Sequence, residues 1–325
     1  MNTDRFQILS LDGGGLKGIF IASFLAEIEK HAKTDIVDHF DLIAGTSTGA
    51  IIALGLGLGF KSKNILDFYL DEAANIFPAQ NGLSRFLMKI KRKFIRGYSS
   101  SNLEKALDKY FGRYLLGDSK KRLIIPSFDS GRADVNIYKT SHHEKLKIDY
   151  KKTILEVAMA TTAAPSYFTT YINEGYIRLI DGGIWANNPA MVALAEALGY
   201  LEQEQQSIAM LSIGTTSAPI SSNRIHDWCG ELLWAMKSVE FLFRGQEIAS
   251  TYQALQILGE NRFLRVNPIV PQKKYFLDKF SKDLVGLGQS EARKQLHNVE
   301  NMFLSHKAKE FIPHNTLKNM NRMED

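Results

Sequence analysis

The sequence predicts an α/β fold of three layers, with helices on both faces of a mostly parallel sheet. Two β-rich runs, residues 6–11 and 40–44, each end in a glycine turn and pass at once into an apolar helical stretch, the unit that builds parallel sheets. Further strand-like runs then alternate with helical patterns along the chain. The composition, 325 residues of which 45% are hydrophobic, 10% aromatic and 23% charged, supplies a core for one large domain and excludes a disordered, collagen-like or coiled-coil chain.

In chain order, the strand at 6–11 leads through Asp12-Gly13-Gly14-Gly15 into a helix over 18–31, with apolar positions at Ile19, Leu25 and Ile28. The strand at 40–44 leads through Gly45-Thr46-Ser47-Thr48-Gly49 into a second helix. Helical patterns follow at 65–76, 103–110, 154–161, 190–202 and 289–304, and strand patterns at 123–127, 135–138, 176–180, 208–213 and 263–266. Residues 77–101 and 217–246 break the alternation and are expected as insertions over the site. Beyond Pro313 the chain reads as a polar tail. Without linker or repeat, 6–216 is expected to form the core and 217–325 a C-terminal helical completion of the same domain.

The uncharged stretch 42–60 approaches the length a bilayer-spanning helix needs, yet five glycines interrupt it. A helix buried on all sides in a large domain looks equally apolar, and that is the expectation. Residues 1–6 show no secretory signal pattern. The single cysteine, Cys229, excludes an internal disulfide and a cysteine-rich metal site; a cytoplasmic location is expected.

Net charge is +5, from 40 basic and 35 acidic side chains, too mild to call for DNA or RNA. Lys89, Lys91, Arg92, Lys93 and Arg96 interleave with Phe86, Leu87, Ile90, Phe94 and Ile95. That pattern fits either a solvated helix face or contact with an anionic membrane surface.

Three short segments carry the chemistry. Gly45 to Gly49 matches a nucleophile elbow, in which small flanking residues let the backbone bend sharply and expose Ser47. The helix after it would aim N–H groups at developing negative charge. In Asp12 to Gly18, glycines would bring backbone N–H groups close to a substrate oxygen. Gly13, Gly15 and Gly18 also satisfy the dinucleotide pattern. That pattern wants an acid ending a second strand about twenty residues on, whereas the next strand here ends at the Gly45 to Gly49 turn. Lys17 offers a cation beside this loop. In Asp181-Gly182-Gly183, an aspartate at a strand end can face a cleft and orient or deprotonate a serine hydroxyl.

In this order, Asp12-Gly13-Gly14-Gly15 with Lys17 before Gly18, Gly45-Thr46-Ser47-Thr48-Gly49, Ala163-Ala164-Pro165, Asp181-Gly182-Gly183, Asn187-Asn188-Pro189 and Ser212 to Thr215, the chain resembles the patatin-like phospholipase family over residues 6–216. Lys17 stands where many members carry arginine, which keeps the cation and loses the planar fork. The resemblance implies a lipid acyl hydrolase that needs no metal or cofactor. Ser47 would attack the ester, Asp181 would take its proton, and the N–H groups of Gly13, Gly14 and Gly15 would hold the oxyanion. The substrate implied is membrane phospholipid, met by peripheral contact at the inner face of the cell membrane. Relatives that serve as antiviral effectors add a cyclic nucleotide as a candidate activator. One physical difficulty stands out: an aspartate with a pKa of about 3.9 is a poor base for serine at neutral pH.

Two alternatives stay open at this point. A Ser-Asp-His triad would keep the chain order of an α/β-hydrolase, with His226, His297, His306 or His314 as its base. A non-catalytic module could use the glycine turns to hold a phosphate or nucleotide. His142 and His143 lack a third ligand at metal-binding spacing and read as a surface pair.

Overall fold

Side chains along the central strands sort by alternate residues onto two apolar layers. On β1 (Phe6–Leu11), Leu9 and Leu11 join one buried cluster while Phe6 and Ile8 join the other. The same alternation holds on β2 (Leu42–Gly45), β3 (Arg122–Asp129) and β7 (Ile208–Ile213), as the two-residue period of a strand requires. The first layer is covered by the helices Gly18–Ala32, Thr48–Gly57, Ser62–Ile76, Ser100–Phe111, Ile154–Thr162 and Asp283–Val299. The second lies under Ala190–Gly199 and Glu231–Leu258. The result is the expected three-layer α/β/α arrangement. It is seen in a computed structural model that describes residues 5–78, 97–219, 231–271 and 274–316, with the side chains of 231–240 excepted.

The sheet runs β5-β6-β3-β2-β1-β7-β8, with β4 (Asp134–Lys139) on the other edge of β3. The five strands from β3 to β8 (Phe263–Val266) are mutually parallel, and β4, β5 (Tyr171–Ile172) and β6 (Arg178–Asp181) are antiparallel to their neighbours. The C-terminal stretch therefore adds a strand as well as helices. The uncharged run 42–60 divides into β2, the elbow and a ten-residue helix whose every residue is buried. Ten helical residues span about 15 Å, half the hydrocarbon thickness of a bilayer, and no helix among the described residues is long and apolar enough to cross a membrane.

Three differences from the sequence expectation have local causes. The strand expected at 176–180 starts at Arg178, because Tyr176 takes a positive φ of 57° in the preceding turn. The helix expected at 289–304 starts at Asp283, where Gly286 and Gly288 dilute its apolar pattern, and ends in a π-helical turn, Glu300–Leu304. Residues 231–246, expected as part of an insertion, open a 28-residue helix. The basic segment 86–96, His226 and Cys229 lie outside the described residues.

Phe303 in that π-helical turn is fully buried against Phe40, with ring centroids 5.7 Å apart. Its carbonyl accepts a hydrogen bond from Gln7 Nε2 on β1 at 2.9 Å. Phe303→Ala should therefore cost about 3–5 kcal/mol in urea unfolding. A loss below about 1 kcal/mol would show that this segment is not part of the core.

Candidate active site

The site forms where two strands meet end to end. β4 occupies one edge of β3, so β2 and β6 share the other, with Ala44 opposite Ile124 and Asp181 opposite Ser127. β2 runs parallel to β3 and β6 antiparallel, so their C-terminal ends face each other. The three-residue step from Ile124 to Ser127 spans about 10 Å, and the Ser47 turn fills that gap.

Ser47 adopts φ 53° and ψ −119°, a strained conformation for a residue with a Cβ, costing on the order of 1–3 kcal/mol. The surroundings hold it there. Its N–H donates to Thr161 Oγ1 at 3.1 Å, and Thr161 in turn donates to the Pro126 carbonyl at 2.6 Å. Thr46 N–H donates to the Leu11 carbonyl at 3.1 Å. A Cβ on Gly45 would strike the Gly49 carbonyl, and one on Gly49 would strike the carbonyls of Leu11 and Asp12. Only glycine lets this turn close against β1.

Asp181 is buried, and its two oxygens are used differently. Oδ2 accepts the Ser47 hydroxyl at 2.7 Å, while Oδ1 accepts the Gly183 N–H at 2.7 Å. Burial pushes the carboxyl up to about 6, against the lowering effect of these two hydrogen bonds. The carboxylate is thus a better base than an ordinary aspartate while remaining ionised at neutral pH. Gly182 packs against the Pro126 carbonyl. Among the described residues no histidine bonds to Ser47 or Asp181: His142 meets Glu196, His306 meets Asp41 and His297 meets Asn301.

The glycine loop lies beside the serine, and a Cβ on Gly13 would sit 3.4 Å from Ser47 Cβ. One expectation needs correction. The Gly13 N–H donates to the Asn187 carbonyl at 2.9 Å, so it is not available to an oxyanion. The Gly13 carbonyl accepts from Thr215 Oγ1 at 3.0 Å, and Leu16 N–H donates to the Leu277 carbonyl at 2.8 Å. Between these anchors, the N–H groups of Gly14 and Gly15 donate to no described atom. Gly15 has φ 56°, and Gly18 packs on the Thr48 side chain. Lys17 Nζ donates to the Thr216 carbonyl at 3.3 Å, and burial lowers its pKa. Asp12 is paired with Arg265.

Sequence reasoning missed Thr161, Arg265 and Glu247. Arg265 had one signal, a charge inside the otherwise apolar strand Phe263–Val266, where burial demands a partner. Thr161 had none, because its role is to reach the elbow from a helix 114 positions away in sequence.

Comparison with known proteins follows this geometry. The model of the family described as Patatin-like phospholipase matches residues 9–194, which include both members of the Ser47–Asp181 pair. A cGAMP-activated phospholipase of Pseudomonas aeruginosa is 29% identical over 296 residues, covering 90% of this chain and 87% of that protein. One of Escherichia coli is 31% identical over 281 residues, covering 80% and 76%. One of Vibrio cholerae is 34% identical over 230 residues, covering 65% and 64%. With the glycine loop, the elbow and the aspartate brought together inside the matched region, the chain belongs to the patatin-like phospholipase family.

Proposed function

We propose that this protein hydrolyses fatty-acyl esters of membrane phospholipids with a Ser47–Asp181 dyad. The observation that carries this reading is the 2.7 Å hydrogen bond from the strained, elbow-mounted Ser47 hydroxyl to the buried Asp181 carboxylate. Asp181 takes the Ser47 proton as Oγ attacks the ester carbonyl. Gly14 and Gly15 N–H groups, with the dipole of the helix Thr48–Gly57, stabilise the oxyanion. Collapse of the tetrahedral intermediate expels the lysolipid alcohol, to which protonated Asp181 returns the proton. Water, deprotonated by the same carboxylate, then releases the fatty acid from acyl-Ser47.

The reading includes peripheral contact with the inner face of the cell membrane. It also includes activation by a cyclic dinucleotide, and the names of the three bacterial relatives support that activation alone. The test is fatty-acid release from phosphatidylethanolamine–phosphatidylglycerol vesicles, with and without a panel of cyclic di- and trinucleotides that includes cGAMP. Release by the wild type, stimulated by one nucleotide and absent in Ser47→Ala, is expected. Full release without any nucleotide would remove the activator. A folded wild type that releases no fatty acid under any condition would overturn the hydrolase.

A further inference from the structure

The loop that carries Gly14 and Gly15 is anchored by a buried charge network that the acyl-transfer chemistry does not itself use. Asp12 directly follows β1 and precedes Gly13, and its side chain is 2% exposed. Arg265, on β8, meets it with both guanidinium nitrogens: Nη1 lies 2.9 Å from Oδ1, and Nη2 contacts Oδ2. The same guanidinium donates to Ser212 Oγ at 2.8 Å and to Glu247 Oε1 at 3.0 Å. Glu247, on the helix Glu231–Leu258, also accepts from Asn267 Nδ2 at 2.6 Å and pairs with Arg244 at 2.8 Å. Its neighbour Gln246 accepts the Asn187 N–H at 3.2 Å, and Asn187 is the residue whose carbonyl holds the Gly13 N–H.

Buried ion pairs contribute little net stability, since desolvation offsets their attraction. What a bidentate fork does supply is orientation, fixing the plane of the carboxylate it grips. Asp12 opens the loop two residues before Gly14, so gripping its carboxylate restrains the peptides that follow. An oxyanion hole depends on that restraint, because its donors must be held about 2.7–3.1 Å from the developing charge, with a tolerance of about 0.5 Å.

We propose that Arg265 is a positioning residue for acyl transfer: by clamping Asp12 it aims the Gly14 and Gly15 N–H groups at the oxyanion, and Glu247 ties that aim to the placement of the helix Glu231–Leu258. This deepens the hydrolase reading and rests on it.

The test compares wild type with Asp12→Asn, Arg265→Lys, Arg265→Gln and the double variant Asp12→Asn/Arg265→Gln. Three quantities are read well below each melting temperature: the rate constant for fluorophosphonate labelling of Ser47, and kcat and KM on a soluble short-chain p-nitrophenyl ester. Asp12→Asn and Arg265→Gln should each slow labelling and lower kcat about 100-fold, the scale of one misplaced oxyanion donor, with KM unchanged. The double variant should be no slower than either single one, because the two residues act as a unit. Arg265→Lys, which keeps the charge and loses the fork, should recover only part of the rate. A purely structural role would lower melting temperature and leave these rates intact, and labelling of folded Asp12→Asn and Arg265→Lys at the wild-type rate would overturn the proposal. A folded wild type that is neither labelled nor active on the ester, with or without the cyclic-nucleotide panel, would remove the hydrolase reading itself, and this inference with it.

Discussion

Ser47→Ala and Asp181→Asn are each expected to lower ester hydrolysis by about 10⁴-fold or more, and their combination to lower it no further, because nucleophile and base act as one unit. The two variants should differ in stability. Asp181 titrates at about 6 in the folded protein, against an ordinary value of 3.8, because burial disfavours its charge. A raised carboxyl contributes stability that is fully present below about pH 4 and is lost as the pH rises through about 6. At pH 8 the wild type therefore bears the whole cost of an ionised buried carboxylate, on the order of 3 kcal/mol for a shift of this size. Asp181→Asn removes that cost while its side-chain oxygen still accepts the Gly183 N–H. It should be more stable than wild type at pH 8 and lose the advantage by pH 4, as read from urea unfolding at both pH values. Activity runs the other way, since only the ionised carboxylate can take the Ser47 proton: kcat/KM should rise through about pH 6 and level off above it. A plateau already reached at pH 4.5, with no stability gain in Asp181→Asn, would show that the carboxyl is an ordinary solvated one.

Gly49→Ala should be among the most damaging single-methyl substitutions in the chain. The added Cβ would run into the carbonyl oxygens of Leu11 and Asp12, which are backbone atoms at the end of a central strand and cannot rotate away. A loss of about 3 kcal/mol or more in urea unfolding is expected, the upper range for overpacking, together with loss of hydrolysis as the elbow is pushed off the glycine loop. Gly199→Ala is the internal control. It ends the helix Ala190–Gly199 with nothing within 4 Å of its added Cβ, so it should be neutral or stabilising by up to about 1 kcal/mol through a less flexible unfolded chain. Equal stability of Gly49→Ala and wild type would disprove the close approach of elbow and strand.

The strands Phe6–Leu11, Ile208–Ile213 and Phe263–Val266 stand where their apolar runs place them, because the first two are buried at every position, the third is buried at Phe263 and Val266, and all are flanked by turn residues. The helix Glu231–Leu258 is different. Its lower part packs Ala254 and Leu258 into the core, while Gln246 and Glu247 reach the active-site loops and Leu242, Ile248 and Tyr252 are exposed. No single apolar stripe results, so the 3.6-residue period that marks an amphipathic helix is missing.

The same division runs through the site. Ser47, Asp181 and the glycines around them could be read from the chain, because a tight strand-to-helix turn admits only small residues and the constraint is local in sequence. Which amides remain available to an oxyanion could not, since Asn187 takes the Gly13 N–H from 174 residues away. Nor could the raised pKa of Asp181 or the Arg265 clamp on Asp12. Desolvation and hydrogen bonding are set by whatever packs against a group, and here the partners come from 134 and 253 positions along the chain. Local backbone geometry wrote the proposed nucleophile and base into the sequence, while tertiary packing decided how far Asp181 is desolvated and which glycine-loop amide is already bonded.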